Sequence, residues 1–304
     1  MIVVCGEALI DVIRRADGTQ RSIPGGGPFN TARALARLGV PTGFLGHLSD
    51  DKLGRKLSGV LKADGVSLGL TTVGPEPTTI AHADLDRDGL ARYRFEIEGT
   101  SAPNLTREMM PPELGPDIEA LCVGSLGLAL EPMASTLVEL LNREQGRRLI
   151  MLDPNVRLGL TNEAEYRDRL TTVITASTVV KASASDLAWL YPNCSPEEAA
   201  DLILREGVKL AVVTLGADGA FGAHRHLRVR VKAKPVEVVD TIGAGDSFGA
   251  GLLAWLHDHD LVRPGLALDE DQLRSALEYA CLVASITCGR EGADPPWARE
   301  MPTG

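Results

Sequence analysis

VEVVDTIGAGDSFGAGLLAWL, residues 236–256, is the stretch on which the reading of this chain turns. Val236, Val238 and Val239 read as the end of a buried strand, Gly243-Ala244-Gly245 as a tight turn, and 247–256 as an apolar helix. In that order they build a pocket for an anion. The first N–H groups of a helix have no partner within it, and Gly243, Ala244 and Gly245 leave them uncrowded, so a phosphoryl oxygen can approach the backbone. Asp246 then stands beside the bound anion. That is an unfavourable place for a carboxylate unless it takes a proton from an attacking hydroxyl during phosphoryl transfer. Asp is also a preferred helix cap, so capping and base catalysis stand as equal readings of Asp246 on these residues alone.

Two other nucleotide motifs are excluded. GxxxxGK[ST] occurs nowhere, and Gly243-x-Gly245-x-x-x-Gly249 is one residue longer than the dinucleotide fingerprint GxGxxG. A length of 304 residues allows one large α/β domain or two small ones, and 44% hydrophobic content supports a sizeable core. MIVVCGEALID (1–11) has no basic n-region, and its short apolar run is broken by Gly6 and Glu7. It reads as neither signal peptide nor membrane span, and a soluble, cytoplasmic protein is expected.

The five cysteines (Cys5, Cys122, Cys194, Cys281, Cys288) form no CxxC pair and are odd in number, which argues against a disulfide framework or structural zinc. His224, His226, His257 and His259 sit in polar stretches that read as exposed, with no site role. The net charge of −10, from 31 basic and 41 acidic residues, disfavours nucleic acid or an anionic membrane as partner.

Strand-like runs at 2–4, 43–45, 121–123, 149–152, 179–181 and 210–214 are interspersed with helical runs at 30–38, 53–63 and 137–141. Such alternation predicts a largely parallel sheet covered by helices on both faces, with ligands beyond the carboxyl ends of the strands. Glu7 and Asp11, the Asp153–Arg157 cluster, Gly216 and Asp246 all fall at such ends.

Residues 79–97 break the alternation. They show period-two patterning about Asp88-Gly89, with Tyr93, Phe95 and Ile97 on one face and Arg92, Arg94 and Glu96 on the other. Residues 12–23, centred on Asp17-Gly18, have the same look. The two ribbons read either as surface hairpins or as a small sheet over the pocket that keeps water from the chemistry. GGGPFN (25–30) brings bare backbone close to something and opens a helix over 30–38 that stops at Gly39. A glycine triplet alone also suits a flexible loop; beside Asp11 it offers carboxylate, amide and backbone groups suited to sugar hydroxyls.

CGEALID (5–11), GGGPFN, the hairpin, DPNVR (153–157), TLGADG (214–219) and DTIGAGDSF (240–248) stand in the order found in the PfkB family of carbohydrate kinases, and the chain most resembles its bacterial fructokinases. The resemblance implies a single ribokinase-like α/β domain over 1–304: a three-layer α/β/α fold with a mostly parallel central sheet and a small β-sheet lid from 12–23 and 79–98. It implies an ATP-dependent sugar kinase, with Asp246 as base and Gly243, Ala244 and Gly245 as the anion hole. Asp11, Gly26, Gly27, Asn30, Phe95 and Arg157 would meet the sugar. Lys181, Ser183, Asp186, Thr214, Gly216 and Gly219 would serve the nucleotide. Asp240 and Thr241, with carbonyls of 287–292, match a region where relatives hold a monovalent cation such as K+; Mg2+ is implied by ATP. Family lids sometimes pair into homodimers.

One departure is visible. Relatives often carry Asn-x-x-Glu where this chain has Ser183-x-x-Asp186, so the surroundings of the metal would differ. Fructose is the acceptor the motifs favour, with 2-keto-3-deoxygluconate, another sugar or a nucleoside as alternatives, and a catalytically silent sugar-binding regulator as a different class.

Overall fold

The computed structural model describes residues 1–14, 19–85 and 91–302. Its centre is an eight-stranded sheet whose parallel strands are largely apolar runs with both faces covered. In β1 (Ile2–Cys5), Ile2 and Val4 enter one core while Val3 and Cys5 enter the other. A small sheet of β2 (Leu9–Arg14) and β3 (Gln20–Gly25) with β7 (Ile80–Leu85) and β8 (Ala91–Glu96) stands apart. A parallel pair, β5 (His47–Ser49) and β6 (Thr72–Gly74), lies between these in sequence.

In the central sheet β1 lies between β4 (Thr42–Leu45) and β9 (Ala120–Gly124), followed outward by β10 (Leu149–Asp153), β11 (Val179–Ser183) and β12 (Leu210–Thr214), all parallel. The antiparallel strands β13 (Ala220–His224) and β14 (Leu227–Val231) close that edge. Helices α1 (Gly27–Arg37) and α2 (Lys52–Ala63) supply apolar side chains to one core. The next four, α3 (Met133–Glu144), α4 (Glu163–Ala176), α5 (Ala184–Leu190) and α6 (Pro196–Arg205), supply the opposite one. The last two, α7 (Ala244–Asp258) and α8 (Glu270–Cys288), return to the first. These are the three layers that the alternation predicts.

The ribbons at 12–23 and 79–97 do join in one sheet, through a parallel β2–β7 pairing that sets Asp11 opposite Ala81. Period two is visible in β8, where Arg94 and Glu96 are exposed while Phe95 packs against the core. The turn signals Asp17-Gly18 and Asp88-Gly89 lie outside the described residues.

Two expectations fail. Val236, Val238 and Val239 are not in a strand and are 40%, 60% and 60% exposed. The sheet already ends on β14, and the segment is instead hung on the end of α8, where Cys288 O accepts the N–H groups of Val239 and Asp240. His224 is buried rather than exposed, because both ring nitrogens find partners in Lys209 O and the Leu268 N–H. Among the described residues no helix is long and apolar enough to cross a membrane.

Candidate active site

The carboxyl ends of β1, β9, β10, β11 and β12 open onto a cavity of about 450 Å³, roofed on one side by the small sheet. Of the residues singled out in the sequence, Asp11, Gly26, Gly27, Asn30, Phe95, Arg157, Lys181, Ser183, Asp186, Thr214, Thr241, Gly243, Gly245 and Asp246 line it together.

Gly243 is the N-cap of α7 at φ 76, a left-handed conformation that glycine adopts without strain, and a Cβ there would stand 2.6 Å from the Ala293 Cβ. No side chain caps this helix, so Asp246 is not a cap. Its carboxylate, in the first turn, turns into the cavity and accepts the Asn30 amide at 2.9 Å. Ala244 uses its N–H on Thr241 O at 3.2 Å and lies off the cavity wall. The N–H groups of Gly243, Gly245 and Asp246 meet no acceptor among the described residues, which leaves them for an anion.

Burial raises the Asp246 carboxyl to about 6; the Asn30 amide opposes the rise, Asp153 adds to it, and Lys181 and Arg157 oppose it. Asp11 is likewise raised by burial to about 6, with Arg157 restraining and Asp246 reinforcing the shift. Its side chain fits because Gly25 is bare: a Cβ there would fall 1.9 Å from Asp11 Oδ2. Asn30 must aim its NH₂ at the Asp246 carboxylate, which leaves its buried Oδ1 without a donor among the described residues. That is an acceptor waiting for a hydroxyl.

Lys181 is buried at the end of β11, its Nζ 2.6 Å from Asp153 Oδ2. Burial alone would discharge it, but Asp153, with Asp246 and Asp186 behind it, prevails and holds its pKa above the usual value. The ammonium stands beneath the α7 turn, 3.3 Å from where a Gly245 Cβ would be.

Ser183 and Asp186 form a capping box at the start of α5, and Asp186 Oδ1 also accepts the Val156 N–H at 2.8 Å, fixing the loop that carries Arg157. Gly219 does not reach the cavity. It is buried under β14, where a Cβ would meet Val231 O at 2.1 Å. Gly216 is exposed in the turn after β12, outside the cavity wall. Asp240 also stands outside it, its carboxylate accepting the Ile242 and Gly292 N–H groups at 3.0 and 2.9 Å and so tying two loops together. Glu7, Ser125, Asp153 and Asn155, which sequence reasoning did not assign to the site, all line it. The available signal was position, since Glu7 and Asp153 fall at or just after strand ends.

The sequence model of the pfkB family carbohydrate kinases matches residues 1–299. A fructokinase of Rhizobium leguminosarum bv. trifolii is 41% identical over 282 residues, covering 90% of this chain and 86% of its own. The crystal structure of fructokinase from Vibrio cholerae O395 with fructose, ADP and calcium superposes with a TM-score of 0.84 at 27% identity, covering 96% of this chain and 94% of that one. Aminoimidazole riboside kinase from Salmonella enterica, complexed with its riboside and an ATP analogue, gives 0.83 at 25%, over 96% and 94%. The chain belongs to the pfkB family of carbohydrate kinases.

Proposed function

We propose that the protein transfers the γ-phosphoryl group of ATP to a hydroxyl of fructose, with Asp246 as the base. One observation carries this reading: the buried Asp246 carboxylate accepts the Asn30 amide in the same turn whose N–H groups at Gly243, Gly245 and Asp246 have no acceptor among the described residues. An alcohol and a phosphate would meet at that carboxylate. The sugar lies against Asp11, the Gly26 and Gly27 backbone, Asn30 and Arg157, with Phe95 of the small sheet over it. The 41% identity to a fructokinase favours fructose as the acceptor.

Asp246 takes the hydroxyl proton as the oxygen bonds to the γ-phosphorus and the bond to the bridging oxygen of ADP breaks. The N–H groups of Gly243, Gly245 and Asp246 and the Lys181 ammonium face the charge on the transferring group. The nucleotide extends along Thr214 towards Gly216. The small sheet acts as a lid that excludes water before transfer.

Among the described residues no three of His, Cys, Asp and Glu group to hold a metal. Mg2+, implied by ATP, would supply charge neutralisation at the phosphates. Each Asp240 oxygen accepts one N–H group and keeps a second lone pair, so a monovalent cation would draw its ligands from Asp240, Thr241 and backbone carbonyls of 287–292.

ADP release with Mg-ATP and K+ tests the reading, offering fructose, 2-keto-3-deoxygluconate, ribose and adenosine in turn. Turnover with fructose supports it, turnover with another acceptor moves the substrate, and binding without turnover of any acceptor overturns the kinase.

A further inference from the structure

Glu7 is a buried carboxylate of the cavity to which the proposed transfer gives no part. It follows β1, is 1% exposed and forms part of the cavity wall. One oxygen accepts the Gly27 N–H at 3.2 Å and the other the Gly127 N–H at 3.0 Å. Gly27 opens α1 beside the sugar-facing backbone, and Gly127 lies in the single turn after β9. The glycine loop is also closely packed: a Cβ on Gly26 would stand 2.9 Å from Glu7 O, and one on Gly27 3.0 Å from the Asn155 amide. The loop is therefore seated by this close packing together with the Glu7 carboxylate on the Gly27 N–H.

We propose that Glu7 is a positioning residue whose ionised carboxylate clamps the start of α1 to the turn after β9 and so sets the affinity for the sugar, leaving phosphoryl transfer to Asp246. The proposal rests on the sugar-kinase reading and deepens it. The charged form accepts both N–H groups on full carboxylate oxygens, whereas protonation makes one oxygen a donor and a weaker acceptor, which loosens its hold on one N–H.

Ser125 after β9, Arg157 in the loop after β10 and the Tyr166 phenol of α4 also face this carboxylate. Burial pushes it up to about 7, against the restraint of the N–H groups, the Ser125 hydroxyl and Arg157. The clamp consequently tightens as pH rises through neutrality and loosens below it.

Fructose Kd by calorimetry without nucleotide, together with KM and kcat, would be measured for wild type and Glu7→Gln across neutral pH. Glutamine presents one acceptor and one NH₂ to two N–H groups, so one bond is lost. Expected are a rise of about tenfold in fructose Kd and KM above neutrality, a kcat and an ATP KM that scarcely change, and loss of the wild-type increase in fructose KM below pH 7. An unchanged fructose Kd in Glu7→Gln, a defect confined to kcat, or a wild-type fructose KM flat through pH 7 would overturn the clamp. Should Glu7→Gln not fold, Glu7→Asp takes its place: its shorter carboxylate keeps the charge but cannot span both N–H groups, so the same rise in fructose Kd is expected and an unchanged Kd overturns the clamp. Absence of turnover with any acceptor overturns the kinase reading instead, and sugar binding by calorimetry then still decides the role of Glu7.

Discussion

At the end of β10, Asp153 meets the Lys181 ammonium at 2.6 Å, whereas in the first turn of α7 Asp246 meets the neutral amide of Asn30 at 2.9 Å. Both carboxylates are buried in one cavity. Burial raises the Asp153 carboxyl as well, but the Lys181 ammonium opposes the rise and occupies the oxygen it meets, so this carboxylate is committed to an ion pair. An amide partner orients the carboxylate without paying for its burial, so Asp246 rises to about 6 and can both take up and release a proton. In the proposed mechanism the Lys181 ammonium beneath the α7 turn faces the transferring group with its positive charge, and the carboxylate in that turn is the base.

The largest effect should come from Asp246→Asn. It keeps the shape and the Asn30 contact but removes the base, and kcat should fall by about 10²–10⁴-fold. Fructose affinity by calorimetry should change little, since the groups assigned to the sugar stay in place. Nearly full activity would erase the distinction between the two carboxylates.

Next is Lys181→Met, which leaves Asp153 buried and unpaired and should lower the unfolding free energy in urea by roughly 3–5 kcal/mol. A variant as stable as wild type would mean that the ion pair is not what holds Asp153 in place.

The smallest effect separates the two sides by sign. Asp246 is raised on folding, so its charge opposes folding above pH 6 and the opposition is absent below pH 3.8. Asp246→Asn should therefore gain stability at pH 8, by at most about 3 kcal/mol, and little at pH 4. A loss of stability at pH 8 would show that Asp246, like Asp153, supports the fold.

The parallel sheet was legible because strands covered on both faces are continuous apolar runs, as in IVVC and LIMLD. The α7 turn was legible because its glycines and acid lie within a few residues of one another. Val236, Val238 and Val239 misled because apolar side chains say nothing of whether a sheet has room for another strand; β14 had already closed the edge. His224 misled because its charged neighbours suggested solvent, while its partners Lys209 and Leu268 come from distant segments. Glu7 and Asp153 escaped assignment for the same reason. What they do depends on Gly127 and Lys181, which only the folded chain brings near.

The central claim, a base poised near neutrality by burial beside an uncharged partner, is tested most directly by kcat against pH at saturating fructose and Mg-ATP. The kcat should be level above neutrality and fall as pH drops through about 6, where Asp246 takes its proton. A kcat still level at pH 5, as for a carboxylate at its ordinary value, would contradict it.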